Sequence, residues 1–360
     1  MTYNKRIPLL AGVLAVLLLT GCRPGYVQLT GYAQGGTWSV KYNAAGVKAS
    51  PEAVQKGVES ILTTIDTTLS GYNKASLLSR LNAGERISPN RMLTDMYDYC
   101  HRLWEETGGA LDIAAGPVFD VWGFGFSSDS LPGADRIADA LARSGMGRLV
   151  PRMEDALDAD GRLDSPRLIA SSYDPDSIKD EYYYPRLNFN AVAQGYSCDT
   201  VASYLNSLGI KDMLVDIGEI SCRGLNPSGK PWRVGVDRPT DGNDRPGADL
   251  DGIWESTGTL ESQGIVTSGN YRKFYIKDGR KYSHTIDPRS GYPVEGSLLS
   301  ATVVSKSAAA ADAYATYCMV IGYEASKAFI ESRPDLEGYL IYDEDGTMKE
   351  WASEGFTLYR

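Results

Sequence analysis

The sequence predicts an α+β protein of mixed helices and largely antiparallel strands, arranged as two intimate subdomains. Three observations lead there. Apolar residues recur at helical spacing in some segments (Val54, Val58, Ile61, Leu62, Ile65 and Leu69) and as alternating or short apolar runs in others, such as 213–217 and 232–236. The two kinds of segment are intermixed with hairpins instead of alternating as regular βαβ units. Finally, no Gly-x-Gly-x-x-Gly follows a strand, no phosphate-binding Gly-x-x-x-x-Gly-Lys occurs, and no repeat of fixed period is present. A chain of 360 residues is long for one core, which favours one large domain or two close ones.

The N-terminus reads as a processing signal. Lys5 and Arg6 precede an apolar run at 9–19 that ends in Leu19-Thr20-Gly21-Cys22, a bacterial lipoprotein cleavage box. Residues 1–22 are therefore expected to direct export, with Cys22 carrying the lipid that anchors the chain to a membrane on the periplasmic side. Residues 23–30 read as a tether, and 31–360 as the folded domain.

Within that domain a strand is expected at 32–42, entered through Gly35-Gly36. A helix follows over Pro51–Leu69, with proline suiting its first turn. Ser70-Gly71-Tyr72 breaks it, and Ser76 caps a short helix through Leu81. A further helix at 93–107 is closed by Gly108-Gly109, and another is expected at 134–144. The acidic, tyrosine-rich stretch 152–185 reads as a hairpin with an inserted surface loop. A helix to Leu208 stops at Gly209, strands follow at 213–217, 232–236 and 258–266, and 241–251 is a Gly/Asp/Pro-rich loop. The last part runs strand, turn, strand, a helix over Ala308–Ile321, a helix at 323–332, and strands at 338–342 and 356–359.

Composition excludes some classes. A net charge of −10 argues against a general nucleic-acid binder, which needs a basic face. No Cys-x-x-Cys or Cys/His cluster exists, so a zinc site is not indicated. Cys100, Cys198, Cys222 and Cys318 have no disulfide spacing and read as mostly buried thiols, although an exported chain leaves pairing open. Twenty-three tyrosines against seven phenylalanines suit clefts lined by amphipathic aromatics.

Three features carry chemistry. Asp312 and Thr316 lie four apart, so a helix would place carboxylate and hydroxyl on one face. Mg²⁺ takes oxygen ligands and is commonly shared between one or two protein oxygens and substrate phosphates. Spacing alone leaves a helix-capping aspartate open, and favours it. His284 is one of two histidines and sits among polar residues; it is either structural or the base for a hydroxyl nucleophile. Glycine elbows at Thr267-Ser268-Gly269, Gln194-Gly195-Tyr196 and Gly108-Gly109 offer backbone N–H groups and close approach to a ligand.

Six motifs in order give a resemblance. They are Ser70-x-Tyr72 with Ser76 and Asn82; Leu111-Asp112 through Gly116-Pro117 and Trp122-Gly123-Phe124-Gly125; and Ala191-Val192-Ala193-Gln194-Gly195-Tyr196 with Asp199. Thr267-Ser268-Gly269-x-Tyr271, Ser283-His284-x-Ile286-Asp287-Pro288-x-x-Gly291 and Ala311-Asp312-x-x-x-Thr316 complete them. From about residue 31 to 321 the chain resembles the ApbE family of FAD:protein FMN transferases. The resemblance implies an FAD cleft between the two subdomains and a Mg²⁺ held by Asp312, Thr316 and a backbone oxygen at Ala191. It implies FAD contacts around Gln34, Tyr72, Ala110, Leu111, Asp112, Asn188, Gln194 and Ile286, with His284 or Asp312 assisting the acceptor hydroxyl. It further implies acceptors among exported or membrane redox proteins, such as subunits of Rnf or Na⁺-pumping quinone reductase complexes. A Mg²⁺-dependent FAD pyrophosphatase and a non-catalytic flavin-binding lipoprotein are the alternatives. The chain departs from the family pattern at Gln194, where lysine is usual, at Gln34-Gly35-Gly36 in place of Met-Gly-Thr, and at Gly218, where a double glycine is expected.

Overall fold

The computed structural model describes residues 25–83, 85, 87–123, 131–148, 186–240, 242–243, 245–271, 274–277 and 280–360. The expectations for the signal segment with Cys22, for Phe124-Gly125 and for 152–185 lie outside these residues. The chain opens with a hairpin of β1 (Tyr26–Ala33) and β2 (Gly36–Asn43), paired to the last step at Ala33↔Gly36. Its two turn residues, Gln34 and Gly35, have φ of 52° and 79°, the left-handed pair that a two-residue hairpin turn requires. Residues 26–30 are thus strand and not tether. Val27, Leu29, Gly31 and Ala33 face inward while Gln28, Thr30 and Tyr32 are exposed, a period of two with only one large buried side chain.

The first helices follow the caps written in the sequence. α1 (Pro51–Leu69) starts where the Ser50 hydroxyl accepts from the Ala53 N–H at 3.3 Å, and α2 (Leu77–Asn82) where Ser76 accepts from Ser79 at 2.9 Å. α3 (Arg91–Glu106) is capped by Asn90 and left through Gly108 and Gly109, both at positive φ. α4 (Gly116–Val121), α5 (Ala134–Ala142) and α6 (Ala193–Ser207) come next. The strands β3 (Met213–Asp216), β4 (Ile220–Arg223), β5 (Arg233–Asp237), β6 (Leu250–Glu255) and β7 (Gln263–Gly269) follow. Small hairpins pair β8 (Phe274–Lys277) with β9 (Arg280–Ser283), and β10 (Ile286–Asp287) with β11 (Tyr292–Pro293). The chain ends with β12 (Leu298–Ser305), α7 (Ala308–Ile321), α8 (Tyr323–Glu331), β13 (Glu337–Glu344), β14 (Thr347–Ala352) and β15 (Leu358–Tyr359).

One eight-stranded sheet runs through the molecule in the order β1-β2-β3-β4-β7-β12-β13-β14, antiparallel at every step. The second sheet, β15-β6-β5, covers part of one face. Alternation along the central strands divides the core. Val266, Val303 and Leu340 point into the apolar cluster formed with α3 and α7, while Ile265, Val304, Tyr339 and Ile341 point the other way, against Trp232, Trp254 and Phe356. Coverage on both faces explains why β12 is a nearly continuous apolar run. A second helical cluster joins β2 and β3 to α1 and α6, and Ile61 packs against both helical clusters. The helices α6 and α7 therefore lie where the two halves of the core meet the sheet. All four described cysteines are buried and free, so none is bridged.

Candidate active site

The site is built on the contact between α6 and α7. The Ser307 hydroxyl caps α7 by accepting from the Ala310 N–H at 3.2 Å. The alanine run that follows permits very close packing. A Cβ on Gly195 of α6 would fall 2.2 Å from the Ala308 carbonyl oxygen, and one on Gly264 of β7 would fall 2.3 Å from Ala308 Cα. Two carboxylates tie the helices together. Asp312 of α7 accepts from the Gly195 N–H at 3.0 Å through Oδ2. Asp199 of α6 accepts from the Ser307 hydroxyl at 2.7 Å and from the N–H groups of Ala308 and Ala309 at 2.9 and 3.0 Å.

Asp312 is buried, with 6% of its surface exposed. Burial pushes its carboxyl up to about 8, against the opposing pull of the Gly195 N–H. Among the described residues no side-chain cation pairs with it, and a buried carboxylate without a cation is costly. Thr316, one turn on, has its hydroxyl oxygen 3.4 Å from that of Ser268 on β7, longer than a good O–H···O bond. Both oxygens thus have capacity for a hard cation. Ala191 precedes α6 by two residues and is half-buried. Among the described residues no group of three or more His, Cys, Asp and Glu side chains assembles, so a cation here would be held by one carboxylate with hydroxyl and carbonyl oxygens. Those donors fit Mg²⁺ shared with a phosphate.

Most of the other expected residues fall into two groups. Gln34, at the tip of the first hairpin, donates from Nε2 to the Ser197 hydroxyl at 2.6 Å, and so joins the start of α6. Gln194 donates to the Ile217 carbonyl at 3.3 Å; a Cβ on Gly218 would stand 2.5 Å from its Nε2. With no Cβ at Gly218, this amide fills the turn. The second group is stitched together by backbone bonds. The Asn188 N–H donates to the Ile113 carbonyl at 2.8 Å, and the Gly116 N–H to the Arg186 carbonyl at 3.1 Å, so the 110–116 turn lies against the segment leading into α6. Asp112 accepts from the N–H groups of Ala114 and Met146, and burial still raises its carboxyl to about 6.

Ile286 puts its side chain into a small cluster with Val118, Trp122 and Ile137, so any flavin contact there falls to its backbone. The Trp122 indole donates to the Gly291 carbonyl at 2.8 Å and pins the turn after His284. Ser283 and Thr285, on either side of the half-buried His284, line a small crevice with Asn270, Leu298, Met319 and Gly322, which sets this strand end beside α7. Tyr72 is 65% exposed, and its turn is held by the Ser70 hydroxyl. Sequence reasoning assigned no role to Asp199, Ser307 or Gly264. Only the serine preceding an alanine run was a readable cap; the other two depend on packing across the fold.

The six ordered motifs, carried on this antiparallel sheet and helix pair, place the chain in the flavin-transferase class. The model of the ApbE family matches residues 34–340. The chain belongs to that family. An FAD:protein FMN transferase from Escherichia coli K12 is 31% identical over 372 residues, covering 98% of this chain and 97% of the relative. The enzyme of the same description from Vibrio cholerae is 31% identical over 355 residues, covering 96% and 97%. Among solved structures, the flavin transferase ApbE from Vibrio cholerae superposes with a TM-score of 0.73 at 30% identity, covering 91% of this chain and 97% of that one. The apo flavinyl transferase ApbE from Pseudomonas stutzeri also gives 0.73 at 30% identity, covering 91% and 95%.

Proposed function

We propose that this chain is a Mg²⁺-dependent FAD:protein FMN transferase that attaches FMN to a threonine or serine hydroxyl of an exported or membrane redox protein and releases AMP. The observation that carries the reading is Asp312: a buried carboxylate with no described cationic partner, one helical turn from the Thr316 hydroxyl. Asp312, Thr316 and the Ala191 carbonyl would hold the ion, which when bound neutralises charge building on the pyrophosphate oxygens. The chain's own residues do the rest. The Gly195 N–H fixes one carboxylate oxygen, leaving the other for the ion. The 110–112 turn, Asn188, Gln34 and Gln194 would orient FAD. His284 or Asp312 takes the proton of the attacking hydroxyl. The new O–P bond forms at the FMN-side phosphorus as the bond to the bridging oxygen breaks, and AMP carries that oxygen away.

Export fits the sequence signal at 1–22, with Cys22 lipidated and the domain on the periplasmic side; the family resemblance suggests acceptors in Rnf-type or Na⁺-pumping quinone reductase complexes, and that location is compatible with them. Among the described residues no helix is long and apolar enough to cross a membrane. The test is to incubate the protein with FAD and Mg²⁺, with and without an acceptor subunit. AMP release that requires the acceptor, with an FMN mass on its threonine or serine, supports transfer. AMP release without acceptor would mean hydrolysis, and neither signal would mean storage.

A further inference from the structure

The proposed ligands of the ion sit on two different elements. Ala191 belongs to the lead-in to α6, while Asp312 and Thr316 belong to α7. Their mutual spacing therefore depends on how the first turn of α7 seats against α6. Gly195 and Gly264 make that seat tight but do not choose its register, since apolar backbone contact is not directional. Direction comes from the two carboxylates, and they act reciprocally: Asp312 of α7 takes an N–H from the first turn of α6, and Asp199 of α6 takes two N–H groups from the first turn of α7. Asp199 also holds the Ser307 hydroxyl, whose oxygen caps Ala310, so both oxygens of its carboxylate are spent on the start of α7. A carboxylate at a helix N-terminus gains from the helix dipole as well as from these bonds.

We propose that Asp199 is a positioning residue for the metal site: its grip on the first turn of α7 sets Asp312 and Thr316 at the spacing from Ala191 that a small octahedral ion demands. It touches neither substrate nor ion. Mg²⁺ tolerates little departure from octahedral geometry, so a small shift of α7 costs affinity for the ion before it costs the fold.

The inference rests on the proposed metal reading, and one titration separates the two. Mg²⁺ binding to the whole exported domain is measured calorimetrically, and by the Mg²⁺-induced shift in Tm, for wild type, Asp199→Ala, Asp199→Asn and Ser50→Ala. Ser50→Ala removes the cap of α1, which among the described residues makes no bond to α7, Asp199 or Asp312, and controls for lost stability. The expected result is a Mg²⁺ Kd raised at least tenfold in Asp199→Ala, an intermediate rise in Asp199→Asn, which keeps one acceptor oxygen, and no change in Ser50→Ala. FMN transfer by Asp199→Asn should recover at saturating Mg²⁺. A wild-type Kd in either folded Asp199 variant, or an equal rise in Ser50→Ala, would overturn the positioning role. Absence of Mg²⁺ binding in wild type would overturn the metal reading itself.

Discussion

Gly195 and Gly264 close on the same residue, Ala308, from a helix and from a strand, and neither has room for a methyl group. The contact is with backbone, which moves less readily than a side chain. Gly195→Ala should therefore cost about 1–3 kcal/mol by overpacking and lower Tm by roughly 1–5 °C. It should also weaken Mg²⁺ binding, because the Gly195 N–H holds Asp312. Gly36→Ala, where a Cβ meets nothing within 4 Å, is the control and should leave Tm within about 1 °C. Scanning calorimetry of the two variants checks both.

With Asp312 as the proposed ligand, ion binding should depend on pH. Its carboxyl is raised from 3.8 to about 8, so the ion-free protein holds a proton there at pH 7. The sign follows: this group stabilises the ion-free fold fully below about pH 3.8, and that contribution fades as pH rises through 8. Mg²⁺ must displace the proton. Near pH 7 binding should release about one proton, affinity should climb up to about pH 8, and release should vanish at pH 9. Calorimetry in two buffers of different ionisation enthalpy measures the release, and Asp312→Asn should abolish it.

Much of this was legible because it is local. Ser50, Ser76 and Asn90 cap their helices from their own next turn, and α1 runs over the stretch its apolar periodicity marked. Strands were harder. β14 is almost wholly exposed and lacks alternation, β4 is four residues long, and β6 begins inside a stretch that composition marks as loop. Their pairing is decided by neighbours distant in sequence. The site divides the same way. Asp312 and Thr316 announce a shared face by their spacing, but the burial of Asp312 without a cation, on which the ligand proposal rests, exists only once α6, β7 and α7 are assembled. Asp199 shows the limit: its partners, Ser307, Ala308 and Ala309, are more than a hundred residues away.

Asp112 should behave as a buried acid held by the Ala114 and Met146 N–H groups and by the Trp104 side chain. Burial raises it from 3.8 to about 6, so its stabilising contribution is complete below about pH 3.8 and is lost as pH rises through 6. Asp112→Asn keeps an acceptor and removes the charge; it should flatten the stability profile between about pH 4 and 6. Asp112→Ala strands the Ala114 and Met146 N–H groups and should cost about 1–3 kcal/mol for each that stays dry. Urea midpoints across that pH range distinguish the two.

The four thiols should be silent in the folded protein. Burial raises Cys100, Cys198, Cys222 and Cys318, with Cys222 and Cys318 pushed up to about 12, so thiolate is scarce at pH 8. Iodoacetamide at pH 8 should leave all four unmodified in the native domain and label all four in denaturant without prior reduction. A disulfide recovered by non-reducing peptide mapping would contradict the fold.

His284 and Asp312 are the two proposed bases for the acceptor's proton, and their variants should fail differently. Asp312 is also the proposed carboxylate ligand, so Asp312→Asn should lose Mg²⁺ binding and transfer together. His284 precedes a turn pinned by Trp122 and carries no proposed ligand role. If it is the base, His284→Gln should lower kcat for transfer by about 10²–10⁴, the usual weight of general-base catalysis, while FAD and Mg²⁺ affinities stay within about twofold. A glutamine variant that keeps its rate would move the proton to Asp312, and ion binding and base catalysis would then compete for one carboxylate.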